Sequence, residues 1–162
     1  MEKGQRFLVL LRHGIAEERS VTKADGEREL TDEGHKRMKE IARGLRKLLP
    51  KAEAIYSSPL VRCKQTADRV ARAYDDLAIE TTEALAPDSE LPAFRELVEG
   101  IKVRRAILVG HEPTLTRFML DLTRMKAEAL ELKKGGCYGI RVDAQGVAQL
   151  EWMLPPRVTR RV

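Results

Sequence analysis

Two histidines in this chain each follow a short apolar run. His13 stands in Leu11-Arg12-His13-Gly14 after Phe7-Leu8-Val9-Leu10-Leu11, and His111 stands in Gly110-His111-Glu112-Pro113 after Ala106-Ile107-Leu108-Val109. A neutral imidazole is a ready nucleophile near neutral pH, because its unperturbed pKa is about 6.5. A neighbouring guanidinium favours the neutral form further, since like charges disfavour protonation. Arg12 beside His13 therefore suits two tasks, holding an anion and keeping the ring uncharged. Gly14 is expected to allow a tight turn and to leave room for an incoming group. This set fits phosphoryl transfer, which asks mainly for positioning and for positive charge around the equatorial oxygens.

An arginine–histidine–glycine triplet alone also describes a loop histidine with satisfied hydrogen bonds. Two further elements add weight to the chemical reading. The segment Ser57-Ser58-Pro59-Leu60-Val61-Arg62 places Arg62 in the first turn of a helix, whose amino end favours anions. His111 supplies a second imidazole after a buried strand.

Other motifs carry less. Cys63 and Arg69 have the spacing of a cysteine-dependent phosphate loop, but Lys64-Gln65-Thr66-Ala67-Asp68 contains no glycine and reads as helix. Cys63 is then a small helix residue. His35, among Lys36, Arg37 and Lys39, reads as an exposed helix position, and Ser57 and Ser58 as strand-end caps outside any Gly-x-Ser-x-Gly turn. Gly135-Gly136 reads as a turn, and the basic ending Pro156 to Arg161 as a frayed tail.

The elements that must position these groups follow from periodicity. Continuous rather than alternating apolar runs predict strands covered on both faces, as in a parallel sheet between helices. Ala54-Ile55-Tyr56-Ser57 predicts a third strand. Ligands of open α/β sheets bind beyond the carboxyl ends of strands, so the three following loops are expected to meet. Thr31 is a good helix cap, with Asp32 and Glu33 in the first turn and Met38, Ile41, Leu45 and Leu48 at helical spacing up to Pro50. Pro59 is expected to open a helix through Val61, Ala67, Val70, Ala71 and Tyr74, and Pro113 one holding Leu115, Phe118, Met119 and Leu122. Cys137–Val142 and Val147–Met153 predict two strands joined at Asp143-Ala144-Gln145-Gly146. The order predicts an α/β fold, a three-layer α/β/α sandwich with a mostly parallel central sheet.

Composition sets the outer bounds. A length of 162 residues suits one domain, spanning 1–162, large enough to bury about 70% of its unfolded surface. The formal charge of +5 favours encounter with anions, while 4% aromatic residues are too few for a base-stacking platform, so nucleic acid is not expected as a partner. Cys63 and Cys137 form no C-x-x-C pair, no apolar stretch is long enough to span a membrane, and the first apolar run is too short for a secretion signal. A cytoplasmic location without membrane attachment is expected.

Four blocks, taken together, resemble the histidine phosphatase superfamily with its phosphoglycerate mutase-like fold, and within it the short phosphohistidine phosphatases of the SixA type. They are Leu11-Arg12-His13-Gly14-Ile15-Ala16, Arg28-Glu29-Leu30-Thr31-Asp32-Glu33-Gly34, Ser57 to Arg62 with Gln65-Thr66-Ala67, and Val109-Gly110-His111-Glu112-Pro113-Thr114-Leu115. Leu150-Glu151-Trp152 and Pro155 extend the likeness toward the end of the chain. The resemblance implies that His13 becomes phosphorylated and that water then releases phosphate. It implies a phosphate pocket of Arg12, Arg62 and His111, with His111 donating to a phosphoryl oxygen, and no metal or other cofactor.

The chain departs from larger relatives in its general acid. No single carboxyl group stands out between Ala67 and His111; Glu83, Asp88 and Glu112 are the candidates. A phosphohistidine substrate lessens the demand, since imidazole leaves more readily than an alkoxide. The expected partner is accordingly a protein carrying phosphohistidine. A small-molecule phosphate ester on the same site, or a non-catalytic phosphate-binding adaptor, are the alternatives.

Overall fold

A computed structural model describes residues 4–162. Its centre is a six-stranded sheet in the order β3-β2-β4-β1-β5-β6. The strands are β1 (Arg6–Arg12), β2 (Ala54–Ser57), β3 (Ile79–Thr81), β4 (Arg105–Gly110), β5 (Cys137–Val142) and β6 (Ala148–Leu154). β1, β2, β3 and β4 pair in parallel, while β5 runs antiparallel to β1 and β6 antiparallel to β5. The helices are α1 (Asp32–Leu48), α2 (Val61–Ala73), α3 (Leu91–Gly100), α4 (Thr114–Thr123) and the short α5 (Pro156–Thr159).

The continuous apolar runs do what their pattern predicts. Along β1, Val9 and Leu11 join the core beneath α1 and α2, whereas Leu8 and Leu10 join the core beneath α3 and α4. β4 splits in the same way, with Ile107 and Val109 on one face and Ala106 and Leu108 on the other. Both faces are therefore dry, and the sheet forms the middle of three layers. Among the described residues no helix is long and apolar enough to cross a membrane.

Local signals account for the helix ends. Thr31 Oγ1 accepts from Gly34 N at 3.0 Å, capping α1. That helix approaches its neighbours through glycines: a Cβ on Gly34 would lie 2.0 Å from Ile15 O, and one on Gly44 1.7 Å from Thr159 O. The expected inward Leu48 is instead 39% exposed, and Leu49, just beyond the helix, takes the buried place. Pro59 does not open α2; Leu60 occupies the cap, and its carbonyl accepts from Cys63 N and Lys64 N.

Three segments differ from expectation. β3 and α3 lie between α2 and β4, where the sequence shows no strong periodicity. β3 is exposed throughout, and α3 buries only Phe94 and Val98. The ending is not frayed, because α5 packs on α1 through the fully buried Thr159.

Candidate active site

Register brings the separated motifs together. Arg12 lies opposite Gly110 across β1 and β4, and Ser57 lies opposite Val109 across β2 and β4. The residues that follow leave the sheet side by side: His13 N donates to Gly110 O at 3.1 Å, and Ser58 N to Val109 O at 3.0 Å. The rings of His13 and His111 are 5.2 Å apart between centroids. Together with Arg12 and Arg62 they line one cleft of about 220 Å³.

His13 is held in a single useful form. Its Nδ1 lies 2.7 Å from Gly14 O, and a carbonyl can only accept, so Nδ1 carries the proton. The lone pair is then on Nε2. Burial, with help from His111, Arg62 and Arg12 and against the Gly14 hydrogen bond, lowers the ring's pKa to about 3. The imidazole is neutral across the physiological range. Gly14 contributes differently from expectation: a Cβ there would meet Met38 Cγ at 2.6 Å, so the space it leaves is filled by the core. Its N–H donates to Thr66 Oγ1, which in turn donates to Arg62 O, tying the His13 and Arg62 segments together.

His111 is also neutral, its pKa lowered to about 3 by burial and then by Arg62. Its Nε2 lies 2.8 Å from Ser58 Oγ and 3.3 Å from the buried Cys63 sulfur, and its Nδ1 lies 3.4 Å from Arg62 Nη2. Arg62 can only donate, so Nδ1 accepts and Nε2–H donates to Ser58. Ser58 thus holds His111 while also accepting from Leu60 N at 3.4 Å, the local capping role expected of it. Cys63 is an inert helix residue whose thiol pKa burial pushes up to about 12.

The arginines are anchored by their outer nitrogens. Arg12 Nη1 donates to Glu131 Oε1 at 3.0 Å and to Leu132 O. Arg62 donates to Asp25 O at 2.7 Å and to Asp25 Oδ2 at 3.0 Å. In both, the buried Nε–H has no protein partner. An unpaired buried donor costs about 1–3 kcal/mol, which an oxyanion would relieve.

Asp25 and Arg28, neither of them among the expected site residues, both line the cleft. Asp25 lies in a short 3-10 turn, Asp25–Glu27, and Arg28 Nε donates to Asp25 Oδ1 at 3.0 Å. Burial would raise the Asp25 pKa, but Arg62 and Arg28 outweigh it and hold the carboxyl below the ordinary range. Arg28 opens the second of the four family-like blocks, whereas Asp25 carries no sequence signal. Arg19 and Lys134 add cationic charge at the rim. Gly135, with φ of +79°, forms the turn that donates to Arg12 O and His13 O.

The acid candidates separate. Glu83 and Asp88 are exposed and do not line the cleft. Glu112 does line it, but Oε1 accepts from Thr116 Oγ1 at 2.7 Å and from Leu132 N at 3.0 Å.

The family model of the histidine phosphatase superfamily (branch 1) matches residues 8–87. An uncharacterized protein of Picosynechococcus sp. (strain ATCC 27264 / PCC 7002 / PR-6) is 36% identical over 141 residues, covering 85% of this chain and 86% of the relative. The chain belongs to the histidine phosphatase superfamily. Its fold matches the protein histidine phosphatase SixA, solved with tungstate, at a TM-score of 0.79 and 19% identity over 94% of this chain and 98% of that one. A phosphoglycerate mutase from Bacillus anthracis str. Sterne matches at 0.78 with 14% identity, covering 96% of each chain. As a superfamily member the chain carries a phosphatase fold of the phosphoglycerate mutase-like type.

Proposed function

We propose that this protein is a phosphohistidine phosphatase acting on phosphorylated proteins, with His13 as the nucleophile. The observation that carries the reading is the paired state of the two buried rings. A neutral His13 with its proton fixed on Nδ1 faces a neutral His111 in a cleft walled by Arg12 and Arg62.

In this reading the Nε2 lone pair of His13 attacks phosphorus and the bond from phosphorus to the leaving group breaks. The phosphoryl group moves to Nε2. Water then attacks phosphorus, the P–Nε2 bond breaks, and inorganic phosphate leaves with His13 restored to its neutral form. Arg12 and Arg62 balance the negative charge on the equatorial oxygens throughout. His111 joins them once its proton moves to Nδ1, which ends its acceptance from Arg62 Nη2 and frees that N–H for the phosphoryl oxygens. The Ser58 hydroxyl permits the exchange because it can donate to Nε2 as well as accept from it.

Two features favour phosphohistidine over a small phosphate ester. None of the carboxylates lining the cleft is placed as an acid: Asp25 is held ionised by its guanidiniums, and Glu112 is engaged with Thr116 and Leu132. A phosphohistidine protonated on its second ring nitrogen leaves as neutral imidazole and needs no acid from the enzyme. The cleft of about 220 Å³ is also below the roughly 300–1,000 Å³ of sites that enclose a small molecule. It suits a phosphoryl group whose carrier stays outside.

The test is a set of kcat/KM values for a phosphohistidine-bearing protein and for sugar phosphates and nucleotides. The reading expects the phosphoprotein to be preferred by at least about a hundredfold, the scale of one transition-state interaction. Faster turnover of the small esters would replace it with the phosphomonoesterase alternative.

A further inference from the structure

The α1–α2 face carries a second concentration of positive charge, outside the catalytic cleft. A cleft of about 300 Å³ between these helices is lined by Lys39, Arg43, Arg69, Arg72 and Ala73. Every charged group in its wall is a cation. Lys39 and Arg43 stand four residues apart on α1, and Arg69 and Arg72 three apart on α2, spacings at which like charges face and repel one another. Folding energetics gives no reason to assemble them.

Little compensates this charge. Neither Lys39 nor Arg43 has a hydrogen-bond or ion-pair partner among the described residues. Arg72 Nε is 3.1 Å from Asp68 Oδ2, in a pair whose members are both largely exposed and which costs little to break. Arg69 Nε donates to His35 Nδ1 at 3.2 Å, which orients its guanidinium without neutralising it. Arg69 follows Arg62 by seven residues on one helix, so it lies about 10 Å farther along α2 than the catalytic arginine.

We propose that this cleft binds a linear oligophosphate. Three of its four cations are arginines, whose planar forks match phosphate oxygens in pairs. Its only apolar wall is Ala73, and no ring is present on which a base would stack, so the phosphate chain itself is what the site recognises. The charge also continues. An adjoining cavity shares Arg43 and Ala73 and adds Arg46, Lys47 and Arg160; Glu40 also lines it and pairs with Arg160 at 2.5 Å. Arg46 pairs with the exposed Asp75 at 2.8 Å, so Lys47 is its added cation without an acidic side-chain partner among the described residues. A chain of linked phosphates spans this track, whereas a single phosphate meets only part of it.

Calorimetric titration of the full chain with inorganic tripolyphosphate tests the proposal, comparing the parent with the Lys39→Ala/Arg43→Ala double variant. Both side chains are exposed, so the variant is expected to fold and to keep the parent's phosphatase turnover. Its affinity for tripolyphosphate should fall by about tenfold or more, the scale of losing two charge-assisted contacts. ATP should bind no tighter than tripolyphosphate, and orthophosphate far more weakly at this site. Unchanged affinity in the double variant would overturn the proposal, as would much tighter binding of ATP, which would mean that the base is read. Equal affinity for a polyglutamate peptide of matched charge would overturn it in favour of an acidic protein partner.

Discussion

The carboxylate of Asp25 sits on Arg62, with Oδ2 3.0 Å from Nη2, and the backbone carbonyl of Asp25 takes the other terminal nitrogen at 2.7 Å. The Arg62 side chain is 4% exposed but that of Asp25 is 40% exposed, so solvent screens the pair from one side. In the proposed mechanism an incoming phosphoryl group needs the same guanidinium. Asp25 is therefore a resident anion that substrate must share or displace.

Replacing Asp25 with Asn keeps the side chain's shape and removes its charge. The expected outcome is a KM about three- to tenfold lower and correspondingly tighter binding of tungstate or phosphate, the scale of a partly buried charge–charge contact. Steady-state kinetics and equilibrium titration read this directly. A raised KM would show that Asp25 positions Arg62 more than it competes for it.

His111→Ala and Arg62→Ala should each lower kcat/KM by about a hundredfold or more, as expected when one transition-state donor is lost. Ser58→Ala should cost less, because it removes the hydroxyl partner of His111 Nε2 and leaves the imidazole in place. Kinetics of the three variants alongside their melting temperatures separates chemistry from folding. A Ser58→Ala loss equal to that of His111→Ala would mean that the hydroxyl itself acts on substrate.

Both histidines should stay neutral well into acid. Their pKa values are lowered from 6.5 to about 3 in the folded protein. Between those limits the unfolded chain binds more protons than the native one, so the contribution of these rings to stability is full above about pH 6.5 and is lost as pH falls toward 3. NMR of the ring nitrogens in the ligand-free protein should find both uncharged at pH 5. Midpoints near 6.5 for either ring would contradict the burial-driven shift.

Much of this arrangement is legible in the chain because the runs Phe7–Leu11 and Ala106–Val109 are short, continuous and apolar, the pattern of strands dry on both faces, and a histidine follows each within two residues. That places His13 and His111 at one sheet edge before any coordinates are known. The Arg62 helix follows β2 for the same reason. What stays hidden has physical causes. β3 is an exposed edge strand and α3 buries only two side chains, so neither produces a strong pattern. Asp25 and Arg28 sit in a segment with no periodicity; Asp25 acts through contacts to Arg62 across 37 residues of sequence, and Arg28 through its bond to Asp25. Gly14 shows the limit in another way: its residue type was informative, but what it makes room for is Met38.

In the proposed mechanism phosphorus becomes bonded to His13 during turnover. Rapid mixing with a phosphohistidine-bearing protein, an alkaline quench that preserves phosphohistidine, and peptide mass spectrometry test it directly. One phosphoryl group should be found on the peptide containing His13 within a single turnover, and both label and turnover should vanish in His13→Ala. Turnover that persists in that variant, or proceeds with no phosphoryl group on His13, would contradict the account.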